Sequence, residues 1–486
     1  MPKPSFPNSS APAVPSATSA LRSPDRRVPR FVQGSILRHV IVMAGTGAVG
    51  LMALFVVDLL NYYYISHLHD PSLTAAIAFA TSLNYVQNSV ALGLSIGLGA
   101  ATGRLIGARR HARARKIASA FLCLMVTVTL VLGVTTAVLA HPLLVLLGAR
   151  GEALTQATRF MHMTSPTLTL VCLGMALSSM LRAVGAAGQA MRVTLSGAFC
   201  TALMDPLLIF GLHLGLEGAA ISTILARLVM ALSGFLNLRS HDLLEWPSRR
   251  FLPVAARIVG AIALPAIATN LATPCGNLFV MHAMARFGLN AVSGQAVIDR
   301  LMPVAFAFVF ALTGSVGPIM AQNLGAGLIG RVREAFLCTL KLTALCVCIA
   351  WLVFFLCQNL ILVQFQVQGA GIGLVRLFCD WVVASYMFVG LLFVSNTAFN
   401  NLGRPLFSTA FNWGRATLGT IPFVSIGAAY GPKGVMLGQA LGVVLVGSAA
   451  MLTALGVINS LARHPEKWQR PSSPVSSRRS GQEGKV

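Results

Sequence analysis

Acidic residues are scarce in this chain: 13 Asp and Glu stand among 486 residues, against 36 Lys and Arg. Charged residues of both signs reach only 10%, where a soluble domain carries about 25%, so the chain cannot cover an ordinary water-facing surface. Hydrolytic motifs are missing as well. There is no H-E-x-x-H, no nucleophile elbow and no pair of acids at metal-ligand spacing, which argues against a membrane-embedded enzyme. Nine cysteines (Cys123, Cys172, Cys200, Cys275, Cys338, Cys346, Cys348, Cys357 and Cys379) fall almost entirely in apolar segments, with no C-x-x-C pair beside a histidine. That excludes a disulfide framework and a zinc site, and predicts buried reduced thiols. His67 and His69 beside Asp70 resemble a metal cluster only superficially, since they fall in an outer loop. No metal and no cofactor is expected.

What the chain has is hydrophobicity: 56% of its residues are apolar. A helix needs about 20 apolar residues to cross a bilayer. Punctuation by Gly, Pro and charge places twelve spans: 36–66, 73–99, 115–139, 154–182, 189–211, 216–238, 254–283, 290–318, 335–361, 373–400, 405–428 and 434–461. The expected fold is an all-α membrane protein of twelve transmembrane helices. Residues 1–35, rich in Pro, Ser and Arg, read as a disordered basic tail without a signal peptide, although the arginines also suit a transit peptide. Residues 36–238 form a first six-helix lobe, 239–253 a linker, 254–461 a second lobe and 462–486 a second basic tail.

The basic residues cluster on one side of this arrangement. Lys3, Arg22, Arg26, Arg27, Arg30 and Arg38 precede span 1, and Arg104, Arg109, Arg110, Arg113, Arg115 and Lys116 follow span 2. Arg182, Arg192, Arg239, Arg249, Arg250, Arg257, Arg331, Arg333, Lys341, Arg404 and Arg415 are assigned to the same side; the opposite side shows Arg150, Arg159, Arg286, Arg376 and Lys433. By the positive-inside rule both termini are cytoplasmic. The net charge of +23 is thus topological: the partner is the lipid bilayer, and nucleic acid is not implied. A multi-pass protein of the plasma (bacterial inner) membrane, acting as a monomer, is expected.

Two further features concern function. Between Arg38 and Asp70 the only formally charged residue is Asp58, inside the first apolar segment. An ionised carboxylate there costs roughly 3 kcal/mol on insertion scales, so it should titrate or find a cation, unless it snorkels from a helix end. The two halves of the chain also echo one another. Gly99–Ala108 aligns with Gly317–Ala326 and Leu181–Gly185 with Phe399–Gly403, both at an offset of 218, and Asp205–Ala219 with Ile421–Val435 at 216. Six helices per repeat gives two lobes of the same orientation, related by a pseudo-two-fold axis along the membrane normal, a build that places substrate between the lobes. Gly93, Gly97, Gly99, Gly103 and Gly107 are read as helix-packing positions.

These blocks together resemble the multidrug and toxic compound extrusion (MATE) family of secondary transporters over roughly residues 36–460. The resemblance rests on Asp58 late in the first helix, the Gly-rich end of helix 2 with its basic loop, Leu181-Arg182-Ala183-Val184-Gly185, Asp205-Pro206 with Gly218-Ala219-Ala220 and Thr223, and Gly403-Arg404-Pro405. It implies a secondary active antiporter that exports small organic, often cationic compounds by alternating access, against entry of H⁺ or Na⁺. It also implies a cation-coupling site at Asp58, Asp205, Thr201 and Thr223. Thr201 stands where the family usually has Asn, and a proline common early in helix 1 is absent.

Depth groups the same residues without the family. Asp58, Asp205 and Thr223 each lie about six to eight residues from the outer ends of their spans, roughly 10–12 Å deep. Thr201 is one turn deeper than Asp205 on the same face. Two carboxylates sharing a low-dielectric site favour holding a proton between them. Structural alternatives remain open: Asp205 bonding backbone groups freed by Pro206, and each threonine bonding its own helix. Asn84, Gln87 and Asn88 on span 2, with Asn270, Asn277 and Gln295, are candidates to line a polar substrate cavity, or to bond between helices. Asp299 is a structural ion-pair partner or a counter-charge for a cationic substrate, and Asp380 a solvated acid. The alternative function is a flippase for lipid-linked saccharide precursors of the same superfamily, which would want a basic cavity. The buried arginines expected here are few, Arg227 and Arg300.

Overall fold

A computed structural model of the protein describes residues 29–66, 71–365 and 367–463. The side chain of Asp58, and His67, His69 and Asp70 altogether, lie outside the described residues. The first half contains α1 (Ile36–Ser66), α2 (Pro71–Gly107), α3 (His111–Val138), α4 (Ala140–Leu146), α5 (Gly151–Thr164), α6 (Leu168–Val184), α7 (Ala187–Pro206) and α8 (Gly215–Arg239). The second contains α9 (Leu252–Ala285), α10 (Leu289–Ala305), α11 (Ala307–Gly325), α12 (Ile329–Gln364), α13 (Ala370–Leu377), α14 (Val383–Asn401), α15 (Pro405–Ala416), α16 (Ile421–Ala428) and α17 (Gly431–Arg463).

Among the described residues, 11 helical segments are long and apolar enough to cross a membrane. The segment expected at 405–428 is helical too, but is split at residues 417–420 into α15 and α16, each too short to cross alone. Other expected spans carry irregularities where proline or polar residues interrupt the ladder. Ser165–Thr167 is a 3₁₀ turn around Pro166 between α5 and α6, and Arg227 Nη1 donates to the Thr164 carbonyl (2.7 Å) and to Thr167 Oγ1 (2.8 Å) there. A guanidinium thus occupies backbone and hydroxyl acceptors that hydrocarbon would leave unsatisfied. After α7 and α13 the chain winds into π-helix, at Leu207–Gly211 and Phe378–Val382.

The repeat has a physical basis. Gly185 and Gly403 both end a helix in the left-handed region, at φ 93° and 79°, and each turn is closed by a backbone bond of 2.9 Å, Ala186 N to Leu181 O and Arg404 N to Phe399 O. Glycine takes that conformation without the Cβ clash other residues suffer. The packing across halves is reciprocal: α1 lies against α11, α2 against α9, and α2 against α11. On α2 the small residues set the distance, since a Cβ at Gly97 would sit 2.9 Å from the Ala263 nitrogen of α9. The packing expected of the α2 glycines is thus observed.

Residues 29–35, counted with the tail by composition, are part of the packed structure. Phe31 is 1% exposed, within a 3₁₀ turn at Arg30–Val32. Its N–H donates to Gln322 Oε1 (2.9 Å), and Asn323 Nδ2 and Arg331 Nη2 donate to its carbonyl (3.1 Å each). Gln322 Nε2 also donates to Ala183 O (2.7 Å), and Arg30 Nη1 to Gly185 O (2.8 Å). This latch ties the ends of α6 and α11, one from each half. Replacing the fully buried Gln322 by Leu leaves two backbone groups without partners and should cost about 2 kcal/mol or more. A thermal unfolding midpoint equal to the parent's would show that the latch contributes nothing.

The cysteines are only partly as expected. All nine are free thiols, but only Cys172 and Cys379 are buried, while Cys123, Cys275 and Cys348 are exposed on the helical surface. In a bilayer the outer face of a helix is as apolar as its inner face, so an apolar segment does not imply burial in protein.

Candidate functional site

Asp205 ends α7, immediately before Pro206 and the π-helical turn. It is 1% exposed, and neither carboxylate oxygen has a hydrogen-bond partner among the described residues. The backbone bonding that an Asp-Pro step allows is not made. Its polar neighbour is Ser222 of α8, also fully buried, whose hydroxyl approaches the carboxylate without a hydrogen bond of good geometry. Gly218 makes this approach possible, because a Cβ there would lie 2.8 Å from the Leu208 carbonyl carbon in the π turn. Thr223 is the residue after Ser222, and its Oγ1 donates to Ala219 O (2.9 Å). Thr201 Oγ1 donates to Gly197 O (3.2 Å). Both hydroxyls bond their own helices, which leaves their lone pairs free to accept.

Asp58 lies on α1, which packs against α7. A Cβ on Gly50 would sit 3.4 Å from Thr194 Cβ, marking where the two helices touch. Asp58 is eight residues beyond Gly50 and Asp205 eleven beyond Thr194. The helices belong to spans 1 and 5 and run in the same direction, so the positions lie about 12 and 16 Å past the contact, nearly level.

A separate cavity of about 940 Å³ opens between the halves. Of the sequence candidates, Asn270, Asn277, Gln295 and Asp299 line it. Gln295 Nε2 donates to Asp299 Oδ1 (3.0 Å), and Asp299 is open to the cavity. Asn84, Gln87 and Asn88 do not line it. Gln87 lies on the α2 stripe that continues through Ala91, Leu94 and Leu98 into the core of the first half and is 3% exposed with neither amide atom bonded, Asn84 is half-buried, and Asn88 is exposed. Their neighbour Tyr85 faces the cavity instead. Asp380 lies in the π turn after α13 and accepts from Gln358 Nε2 at 3.1 Å.

Several cavity residues escaped the sequence reading. Asn396, Asn400 and Asn401 enter from α14, and the Oδ1 atoms of the first two are buried without partners. Three asparagines within Ser395–Asn401, inside an apolar run, were the available signal. Arg182 and Arg415 were assigned to the charged membrane face, yet both line the cavity. Arg415 is 8% exposed and ten residues into α15, about 15 Å from its start and well inside the membrane. One-sided charge counting reads position along the chain, and a mid-helix arginine is misfiled by it.

The profile of the MatE family matches residues 48–207 and 265–426, in both halves of the chain. The chain belongs to the MATE family. It is a secondary transporter of the MATE type and an integral multi-pass membrane protein, not an enzyme. Among curated relatives, a FAD transporter of Shewanella oneidensis is 28% identical over 435 residues, 87% of this chain and 95% of that protein. The multidrug export protein MepA of Staphylococcus haemolyticus is 23% identical over 357 residues, 73% and 76% of the two chains. In structure, the Vibrio cholerae MATE transporter VcmN in its bent form aligns with a TM-score of 0.82 at 22% identity, over 87% of this chain and 97% of that one. An outward-facing multidrug resistance MATE transporter of the MOP superfamily aligns with a TM-score of 0.81 at 19% identity, over 90% and 99%.

A buried carboxylate without partners is a stability cost that a neutral isostere relieves. Asp205→Asn should therefore unfold at a temperature equal to or above the parent's. A clear fall in the midpoint would mean that the carboxylate has a structural ionic partner.

Proposed function

We propose that the protein is a cation-coupled antiporter that exports small organic compounds by alternating access. In this reading Asp58 and Asp205 carry the coupling ion, with Thr201 and Thr223 supplying further oxygens. The observation that carries it is the Asp205 carboxylate, buried, without a hydrogen bond and nearly level with Asp58 on a helix packed beside it. A charge in hydrocarbon costs several kcal/mol, so such a group alternates between a protonated or cation-bound state and an open, hydrated one. Alternation of that kind can drive export. Ion pathway and substrate cavity are separate on this reading, since none of Thr201, Asp205 and Thr223 lines the space between the halves.

The same proposal takes α15 and α16 as one broken crossing. That gives twelve helices in two six-helix lobes related by a pseudo-two-fold axis, with both termini cytoplasmic, in a bacterial inner membrane and as a monomer. The reciprocal contacts of α1 with α11 and of α2 with α9 support the axis. Asp299, open to the cavity, serves as counter-charge for cationic substrates, and the MatE match over both halves favours export over lipid-linked saccharide flipping. The relatives named as multidrug export proteins and as a FAD transporter both point to organic cargo.

The test is dye movement in liposomes containing the purified protein, under an imposed pH gradient and, separately, a Na⁺ gradient. One of the two should drive transport, which identifies the ion. Asp58→Asn and Asp205→Asn should each abolish that gradient-driven movement, while the variants stay in the membrane at parental levels. Efflux unchanged in either variant would sink its role in coupling.

A further inference from the structure

The cavity holds a second charged pole that the coupling scheme does not use. Arg415 lies about 15 Å along α15, at the last turn before the break at 417–420. The break is seated rigidly: Thr420 Oγ1 donates to the Arg415 carbonyl (2.8 Å), and the Gly419 segment rests on the glycine of α17 at Gly442. The guanidinium itself is poorly satisfied. Nη2 donates to Thr273 Oγ1 at 3.2 Å, while Nε is buried without an acceptor. No carboxylate lies within ion-pairing distance of it among the described residues, and Asp299 of α10, which lines the same cavity, bonds to Gln295 instead. The negative end of α15 offsets only part of the burial cost, because it is not a hydrogen-bond partner for Nε.

Two half-buried arginines make comparable or better contacts, and of the three only Arg415 has a buried nitrogen without an acceptor. Arg227 bonds Thr164 O and Thr167 Oγ1, and Arg182 bonds Ser178 Oγ (2.9 Å) at the end of α6. The cavity wall is also aromatic and amide-rich. Tyr85 and Tyr386 are its electrostatic neighbours, Tyr386 stacks on Phe306 at 5.2 Å, and Phe310 and Phe393 pair at 5.8 Å. A planar guanidinium in a cavity that also carries aromatic rings suits a flat carboxylate or phosphate on an aromatic body.

We infer that Arg415 anchors the negative group of aromatic organic anions in the central cavity, with the ring held among Tyr85, Tyr386, Phe310 and Phe393. Asp299 lines the same cavity, so a zwitterion can use both charges. The inference rests on reading this cavity as the substrate chamber, and its test uses binding, so that it can fail independently of transport.

The full chain in lipid nanodiscs is titrated with 1-naphthyl phosphate, 2-naphthoate and neutral 2-naphthol. At least one of the two anions should bind about tenfold tighter than naphthol, as a charge-assisted contact allows, and which anion it is names the preferred group. In Arg415→Gln that preference should collapse to about one, with naphthol binding retained; Arg415→Lys should keep part of it. Naphthol binding as tightly as both anions to the parent, or an anion preference that survives Arg415→Gln, overturns the subsite. If Arg415→Gln does not fold, the preference of the parent protein decides by itself. Failure of any dye to move under either gradient counts against the transport reading, and leaves the binding ratio to judge the subsite.

Discussion

Hydrocarbon offers no hydrogen bonds, and that constraint shapes most of the polar chemistry in this molecule. Hydroxyls turn back onto their own helices, as Thr129, Thr339 and Thr343 do. Helix carbonyls take extra side-chain donors: Thr269 and Thr409 both donate to Pro265 O at 2.8 Å, which also ties α15 to α9. Arg227 and Arg331 spend their donors on backbone carbonyls at a helix break and at the Phe31 latch. Against this background of satisfied groups, Asp205 and Arg415 stand out as buried charges whose partners are missing or incomplete. One is negative and inside the first half. The other is positive and faces the space between the halves.

Close backbone approach is the second organising factor. Helices surrounded by apolar lipid gain little from hydrophobic burial against one another, so contact depends on small residues and shape. Gly93 and Gly97 let α2 lie on α9, Gly218 lets α8 lie on the π turn beside Asp205, and Gly434, Gly438 and Gly442 let α17 receive the α16 segment. At the Phe31 end, a Cβ on Gly107 would run into the Gln322 carbonyl and one on Gly325 into that of Arg104, so α2 and α11 are locked there.

Much of the fold was legible in the chain. The expected apolar segments reappear as helical stretches, eleven of them long enough to cross among the described residues, and the Leu181–Gly185 and Phe399–Gly403 blocks as matching caps, because span length follows from bilayer thickness and punctuation from glycine and proline. The split at 417–420 was not legible, since Thr417–Thr420 is no stronger a breaker than many intact stretches. Placing Asp58 and Asp205 at similar depth needed only rise per residue, and the packing of α1 beside α7 is consistent with it.

Rotation about the helix axis was the part that sequence could not supply. A soluble amphipathic helix shows its inner face by where its polar residues fall. Membrane helices such as α1, α2 and α9 are apolar nearly all round, so nothing in their patterning said that Tyr85 would face the cavity while Gln87 turned into the first half. The same blindness put Arg415 on the membrane face and passed over Asn396 and Asn400. The sequence by itself determined that this is a membrane-spanning, internally repeated chain with rare buried acids. Only the tertiary structure decided which of its polar groups meet, because in a uniformly apolar solvent the choice of inward face is made by helix–helix contact and not by hydrophobicity.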